Sequence, residues 1–244
     1  MMKPPVICYM CNAARTSDEH VPPKGLFPKR VDLPPNVDLR KQLITVPSCD
    51  VHNSEKSLDD EYLMYALVFG IQNNPTASEQ IKRKITRAMC ANPGVAKLIA
   101  QHQQPVRVEH TTTGKIEDTI ALRIDSKRIH QALDHIGRAL HFHHFCAQWV
   151  GEIQVIPLFL LALEGNAPEA FNASLESMGQ AVETLLSGES EHGANPEVFT
   201  YKVVKPASQI PVVMLLTFYG GSKVVLLFKD PSSKGLDTSP KCVN

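Results

Sequence analysis

Residues 46–62 read VPSCDVHNSEKSLDDEY and hold a cysteine, a histidine and an asparagine within a few positions of one another. Cys49 and His52 form a C-x2-H pair, a spacing that lets a thiolate and an imidazole from one tight turn bind the same metal ion. Asn53 follows at once, before a segment with apolar residues at helical spacing. The stretch therefore predicts half of a metal site where a strand ends and a helix begins.

The other half of the site is predicted from residues 7–27, which read ICYMCNAARTSDEHVPPKGLF. Cys8 and Cys11 form a C-x2-C pair, and with the downstream pair they make a Cys3His set that suits tetrahedral zinc. In the alternative interpretation, the two pairs are unrelated and contain reactive or buried thiols. The remaining cysteines have no partner at ligand spacing and are interpreted as small hydrophobic or tail residues: Cys90, Cys146 and Cys242.

The composition is that of an ordinary globular protein. Of the 244 residues, 43% are hydrophobic and 20% are charged, and 25 Lys plus Arg residues balance 25 Asp plus Glu residues. Because the net charge is zero, nucleic-acid binding would require a local basic patch. Neither a secretory signal nor an apolar run of membrane-spanning length is visible, so we expect a cytoplasmic protein without a membrane partner. A reducing cytosol favours metal binding over disulfides.

Two segments, CYMCNAARTSDEHVPPKGLF (8–27) and LITVPSCDVHNSEK (43–56), resemble the HNH endonuclease family, in its subset with a structural zinc. That family's pattern is C-x2-C, then Asp/Glu-His before a proline-containing stretch, then a hydrophobic strand leading into a second ligand pair. The resemblance covers about residues 5–65 and implies a ββα-metal, treble-clef-like module. We therefore expect a zinc-stabilised HNH module at residues 1–65 and a larger α+β domain with an antiparallel sheet at residues 66–244.

The resemblance also implies roles for residues near the zinc pairs. His20 would be the general base that takes the proton of the nucleophilic water. Glu19 and Asn53 would bind a catalytic Mg²⁺ or Mn²⁺ through their oxygen atoms, separately from the structural zinc. Lys56, one helical turn after Asn53, could contact a substrate phosphate.

The stretch PPKGLFPKR, which follows the predicted base, is basic and rich in proline. Side chains there could bind the phosphate backbone of a nucleic acid, which positions a substrate without reading its sequence. A plain surface loop is the equally consistent alternative. The candidate substrate-binding residues of this stretch are Lys24, Lys29 and Arg30.

Some of these residues have other interpretations, and the family pattern is incomplete. His20 could instead cap the loop or bind a carbonyl group, and Asn53 could serve as a helix N-cap. The family's middle asparagine, which orients the loop bearing the base, has no counterpart before Cys49, since Asn36 lies further upstream. One acidic group is interpreted as a solvated face that complements the helix dipole: Asp59, Asp60 and Glu61.

The remainder of the chain predicts mixed helices and strands. Helical spacing occurs over residues 55–71, 126–147 and 168–187, and in the stretches SEQIKRKITRAM and VAKLIAQHQ. Alternation predicts a hairpin in VRVEHTTTGKIEDTIALRID and a meander made of EVFTYKVVK, IPVVMLLTFYG and KVVLLFK. The apolar stretch IQVIPLFLLAL is a buried strand or helix. These elements predict the α+β domain.

The helix predicted over residues 126–147 carries several polar side chains on one face. His130, Asp134, His141 and His144 have spacings that could bind a second metal ion or a phosphate. The alternative, which we prefer, is that these histidines are packed structural residues, because no carboxylate-rich partner segment is evident.

Two functions from different classes remain. The first is a metal-dependent HNH endonuclease that hydrolyses phosphodiester bonds, with DNA favoured over RNA, in bacterial antiphage defence or a mobile element. In this interpretation the domain at residues 66–244 positions substrate, senses a ligand, or binds a protein partner or a second copy of the chain. The second is a catalytically inactive, zinc-stabilised module that binds protein or nucleic acid.

Overall fold

The computed structural model describes residues 6–54, 57–70, 72–91, 103–109, 114, 116–204 and 212–229. These residues form helices and antiparallel strands, so the predicted α+β class is confirmed. The helices are α1 (Asp50–Ser54), α2 (Ser57–Val68), α3 (Pro75–Gln80), α4 (Thr86–Ala91), α5 (Ser126–Phe145) and α6 (Pro168–Leu185). A π-helical turn (Ile81–Ile85) joins α3 to α4. The strands are β1 (Ser17–Val21), β2 (Ile44–Ser48), β3 (Gln103–Glu109), β4 (Ile116–Leu122), β5 (Glu152–Pro157), β6 (His192–Asn195), β7 (Phe199–Val204), β8 (Val213–Phe218) and β9 (Ser222–Lys229).

Near the N-terminus, β1 and β2 pair antiparallel although residues 22–43 separate them in the sequence. Both strands show the period-two burial of a sheet with one face in the core, with Val21 and Val46 among the inward residues. His20 lies opposite Thr45 in this pairing. Helix α1 begins one residue after β2, so the strand that carries the predicted base and the helix that carries His52 are neighbours.

The larger part of the chain is built on a five-stranded antiparallel sheet with the order β5-β9-β8-β7-β6. Strands β7, β8 and β9 form the predicted meander, and the stretch IQVIPLFLLAL supplies edge strand β5. The short strand β6 was not predicted. Gly221, between β8 and β9, allows a close backbone contact, because a Cβ atom there would lie 2.2 Å from the carbonyl oxygen of Gln72.

Helices cover both faces of this sheet. Helix α5 packs on one face through its predicted apolar stripe, and Gly137 allows a close approach, since a Cβ atom there would lie 2.9 Å from Leu226 Cδ1. Helix α6 covers the other face, where Val182 and Leu186 pack with Val225. The same helix α5 also contacts β1, β2 and α2. It therefore lies between the N-terminal hairpin and the large sheet.

One continuous hydrophobic core extends across the predicted domain boundary at residue 65. It contains Cys8 and Tyr9 from the N-terminal segment, Leu133 from α5 and Met214 from β8. The loop after β1 joins this core through the carbonyl oxygen of Leu26, which accepts hydrogen bonds from Gln80 Nε2 (2.8 Å) and Tyr219 Oη (2.6 Å). The N-terminal segment is thus packed against the rest of the chain rather than standing alone.

The other predicted elements differ in whether the structure describes them. Strands β3 and β4 form the predicted hairpin as a separate two-stranded sheet. Lys56 and residues 95–102, which hold most of the helix predicted in VAKLIAQHQ, lie outside the described residues. Within the described part of the chain, no helix is both long enough and apolar enough to cross a membrane.

We expect the two hydrogen bonds to the Leu26 carbonyl to stabilise the fold non-additively. Tyr219→Phe or Gln80→Leu alone should lower the free energy of unfolding by about 1 kcal/mol, because the carbonyl keeps its other donor. The double variant should cost about 1 kcal/mol more than the sum, since a buried carbonyl then loses both donors. Urea denaturation measures this, and strictly additive losses would contradict the shared-acceptor arrangement.

Candidate metal centre and active-site cleft

The four predicted zinc ligands come together where the N-terminal loop meets α1. Cys8 and Cys11 lie in a turn before β1 that a β-bridge closes, and Cys49 and His52 lie at the start of α1. Their ligand atoms all lie within 4.8 Å of one another. The predicted Cys3His cluster is therefore confirmed as a group that could bind a metal ion such as zinc.

The distances inside this cluster fit a tetrahedral ion. Cys11 Sγ lies 3.8 Å from Cys49 Sγ, and His52 Nδ1 lies 3.5 Å from Cys8 Sγ and 3.2 Å from Cys49 Sγ. Zinc bonds to sulfur and nitrogen imply tetrahedron edges of about 3.8 Å between two sulfurs and about 3.5 Å between sulfur and nitrogen. The donor set of three cysteine sulfurs and one imidazole also has the softness that zinc prefers.

The environment of Cys8 favours its thiolate. Burial raises the pKa of this thiol, but hydrogen bonds from the backbone of Met10, Cys49 and Cys11, together with His52, outweigh burial and lower the pKa to about 7. One of them, from Met10 N to Cys8 Sγ, is 3.4 Å long. A thiol that ionises near neutral pH binds a metal ion without a large cost of deprotonation.

A side chain from the far part of the chain holds the metal-binding turn in place. Gln148 follows α5, and its Nε2 donates to the carbonyl oxygens of Cys8 (2.6 Å) and Cys11 (2.9 Å). These carbonyls belong to two of the ligands, so Gln148 orients the backbone that carries the sulfurs. The sequence contained no local sign of this contact, because the partners are more than a hundred positions apart.

A cleft of about 340 Å³ lies between β1, the loop that follows it, and helices α1 and α2. The structure brings the three predicted catalytic residues to its walls: Glu19, His20 and Asn53. None of the three belongs to the cluster of sulfur and imidazole ligands. Asn53 follows His52 directly, so the short helix α1 carries both a candidate metal ligand and a residue of the cleft wall.

Glu19 and His20 reach the cleft from opposite faces of β1, as successive residues of a strand do. Glu19 lies on the buried face and is only 6% exposed, with its Oε1 accepting from Tyr9 Oη at 3.5 Å. Burial and the charge of Glu19 raise the pKa of Tyr9, which stays a neutral donor. Glu19 therefore forms a deep, negatively charged part of the wall.

His20 is half-buried and lies near two cations. Burial lowers its pKa, and the charges of Lys24 and Arg40 lower the pKa further, against an opposing effect of Asp18. An imidazole with a lowered pKa is neutral at pH 7 and can accept a proton.

Asn53 faces the cleft from α1 with one end of its amide occupied. Its Nδ2 donates to Ser17 Oγ at 2.9 Å. The amide Oδ1 is then the atom that can turn toward a cation or a water molecule. A second bond between the same elements, from Thr16 Oγ1 to Asp50 Oδ1 (2.7 Å), holds the start of β1 against α1.

Arg40, for which the sequence predicts no role, fixes the loop after β1. Its Nη2 donates to the carbonyl oxygens of Phe27 (2.7 Å) and Lys24 (3.4 Å), and its Nε donates to Phe27 again at 3.1 Å. Because Lys24 lines the cleft, Arg40 sets the position of one cleft wall. No sequence pattern near Arg40 predicts these hydrogen bonds, since the acceptors are backbone carbonyls earlier in the loop.

The three acidic residues predicted to form a solvated face lie in the first turns of α2, and they have different surroundings. Asp59 pairs with Arg128 of α5 at 2.7 Å. Asp60 and Glu61 instead line the cleft, and Glu61 Oε1 accepts from Tyr65 Oη at 2.7 Å. With Asp18 and Glu19, these residues make the cleft acidic, a charge that suits a cation better than a bare phosphate.

The predicted substrate-binding residues lie at different distances from the cleft. Lys24 lines it, in the 3-10 turn Lys24–Leu26. Lys29 and Arg30 are exposed farther along the same loop, near the turn Arg30–Asp32. Lys56 lies in the part of the chain that the structure leaves undescribed.

The polar face of α5 forms internal contacts. His141 is buried beside Phe145 and Trp149, with its Nδ1 2.9 Å from the carbonyl oxygen of Ala147. Arg138 pairs with Asp134 at 2.7 Å. Another pair of rings stacks edge to face, His144 on His192. Across the described residues, the Cys3His cluster is the one group of three or more such side chains whose ligand atoms converge.

No protein-family model, curated protein or solved structure matches this chain. The HNH resemblance therefore rests only on the residues quoted from this sequence.

We expect Cys49→Ser to lose bound zinc and to lower the melting temperature by about 10 °C or more. Cys49 is a buried member of the shared core, so loss of the ion exposes part of that core. Metal analysis and thermal unfolding measure both effects. Cys90→Ser, at an exposed cysteine outside the cluster, should change neither, and stoichiometric zinc in Cys49→Ser would contradict the assignment.

Proposed function

We propose that this protein is a metal-dependent endonuclease of the HNH type, which hydrolyses phosphodiester bonds in nucleic acid. The single observation that supports this most is the convergence of Glu19, His20 and Asn53 on one cleft whose walls are joined by the Cys3His cluster. In this proposal, the cluster binds a structural zinc ion, with all four positions filled by protein. The cleft stays open for substrate and water.

His20 acts as the general base. It is neutral at pH 7 because burial, Lys24 and Arg40 lower its pKa, so it can take a proton from a water molecule that attacks phosphorus. Lys24, on the cleft wall, contacts the phosphate whose ester bond is hydrolysed. The water must lie in line with the leaving oxygen, and the walls of the cleft supply that orientation.

Glu19 and Asn53 bind the catalytic divalent ion. The walls fit a hard cation, since they offer carboxylate and amide oxygens from Asp18, Glu19, Asn53 and Asp60 and little positive charge. Mg²⁺ commonly takes only one or two protein ligands and completes its shell with water and phosphate oxygens. When bound, Mg²⁺ or Mn²⁺ stabilises the charge that develops on the leaving oxygen.

Arg40 compensates for the asparagine that the family pattern has and this chain lacks. The role of that asparagine is to orient the loop bearing the base. Arg40 donates from Nε and Nη2 to the carbonyl of Phe27 and from Nη2 also to that of Lys24, in the loop that follows His20, and its charge lowers the pKa of the imidazole. A guanidinium suits this task because its donors have a fixed fork geometry.

We expect His20→Ala to reduce cleavage by about 100-fold or more while leaving zinc content and melting temperature unchanged, because it removes a proton acceptor and no zinc ligand. Plasmid DNA, single-stranded DNA and RNA are incubated with Mg²⁺ or Mn²⁺ and the products resolved by electrophoresis. His130→Ala, at an exposed histidine of α5, is the matched control and should cleave normally. Full cleavage by His20→Ala would rule out this mechanism. If the wild-type protein cleaves none of the substrates, the inactive binding module becomes the better interpretation.

We expect Asn53→Ala to raise the Mg²⁺ concentration needed for half-maximal cleavage by about tenfold, because one oxygen ligand is lost. High Mg²⁺ or Mn²⁺ should restore part of the rate. Titration of the metal in the cleavage assay measures the shift, with Asn12→Ala, in the metal-binding turn but outside the cleft, as control. An unchanged metal requirement in Asn53→Ala would remove this residue from the proposed ion site.

A further inference from the structure

Beyond the N-terminal segment, the helical run α3–π–α4 is rich in cations. Residues 79–87 read EQIKRKITR, with one acidic residue among four basic ones. Its sequence pattern predicts only a helix. Its position relative to the cleft makes it a candidate interaction surface.

Two contacts fix this helical run against the loop that follows β1. Near its start, Gln80 Nε2 donates to the carbonyl oxygen of Leu26 at 2.8 Å, in the 3-10 turn that also contains Lys24. Near its end, Arg87 Nη2 donates to Asp32 Oδ2 at 2.7 Å, in the second 3-10 turn of the loop. The residues between these contacts therefore run alongside the loop, from the cleft wall outward.

Two of the side chains between these contacts, Lys82 and Arg83, are exposed and positive. Lys82 is 70% and Arg83 is 54% exposed, and both pair with the single carboxylate of Glu79, at 3.3 Å and 3.1 Å. Such exposed pairs contribute little to stability and are weakened by salt, so phosphate oxygens can replace Glu79 as the partner. The Arg87–Asp32 pair is different, because Asp32 is only 10% exposed and the pair serves to join helix and loop.

The helix and the loop that it contacts both carry cations. Lys24 lies on the cleft wall, Lys29 and Arg30 are exposed along the loop, and Lys82 and Arg83 lie on the adjoining helix. We call these five residues the basic surface. On the helix, Glu79 is the one carboxylate that the described ion pairs place beside Lys82 and Arg83. A local excess of positive charge is what a chain of zero net charge needs in order to bind a polyanion.

We infer that the basic surface binds the phosphate backbone of the nucleic acid whose cleavage is proposed above, and leads it to the cleft. This inference rests on the proposed function and adds a substrate-binding element from outside the N-terminal segment. The acidic cleft alone would repel a polyphosphate chain, so binding energy must come from contacts beside it. Lys24 connects the two regions, since it belongs to both. Backbone contacts of this kind carry no base information, and the surface predicts weak sequence preference.

The test is binding rather than cleavage, so that the two proposals can fail separately. Fluorescence anisotropy is measured with the full chain in the His20→Ala background, using labelled duplex DNA, single-stranded DNA and RNA over a range of salt concentrations. The test variant carries Lys82→Gln and Arg83→Gln. The control variant carries Lys223→Gln and Lys229→Gln, which removes the same charge from exposed ion pairs on β9, on the α6 side of the sheet.

For the preferred nucleic acid, we expect the test variant to bind about tenfold more weakly at about 100 mM salt, and its plot of log affinity against log salt to have a slope smaller by about 2. The control variant should stay within twofold of its parent. Comparison of the three oligonucleotides shows whether the surface prefers the phosphate backbone of duplex DNA, single-stranded DNA or RNA. Equal effects of the two variants, or an unchanged salt slope in the test variant, would overturn the inference, as would equally tight binding of polyaspartate. If this binding pattern is observed but the wild-type protein cleaves none of the nucleic acids, only the nuclease mechanism is contradicted.

Discussion

The convergence of four ligand atoms on one point is the interaction on which the rest of the N-terminal structure depends. It joins a turn before β1 to the first residues of α1, two segments that the long loop keeps apart in the sequence. A short two-stranded hairpin and a five-residue helix bury too little apolar surface to hold this arrangement alone. We propose that a bound zinc ion supplies the missing free energy. Because Asn53 directly follows His52, such an ion would also fix the position of one cleft wall.

The rest of the chain completes this arrangement through a small number of long-range hydrogen bonds. Gln148 holds the backbone of two metal-ligating cysteines, and Tyr219 and Gln80 bind the carbonyl of Leu26 in the loop that forms a cleft wall. Helix α5 lies between the β1–β2 hairpin and the five-stranded sheet, and its buried residues pack against both. The core and these hydrogen bonds cross residue 65, so residues beyond it contribute contacts to the segment that carries the cleft.

The elements that the sequence predicted are those whose signal is local. The ligand spacings, the apolar stripe of α5 and the alternation in β7 to β9 each follow from the period of one element. The contacts that shape the site join distant residues: Gln148 to the metal-binding turn, Arg40 to its own loop, and Asp60 to the cleft rather than to solvent. Periodicity shows that a residue is on a polar face, but packing decides what that face meets. The short strand β6 was missed because its sequence, HGAN, has neither alternation nor strand-forming residues.

The most direct test of this account is X-ray absorption at the zinc edge of the purified, full-length protein. The account predicts one zinc ion per chain in a tetrahedral shell, with three sulfur atoms at about 2.3 Å and one nitrogen atom at about 2.0 Å. His52→Cys should convert the spectrum to four sulfur atoms without loss of the metal, because the same position still offers a ligand. A spectrum dominated by oxygen and nitrogen, or protein that contains no zinc, would contradict the claim that this cluster organises the fold and the cleft beside it.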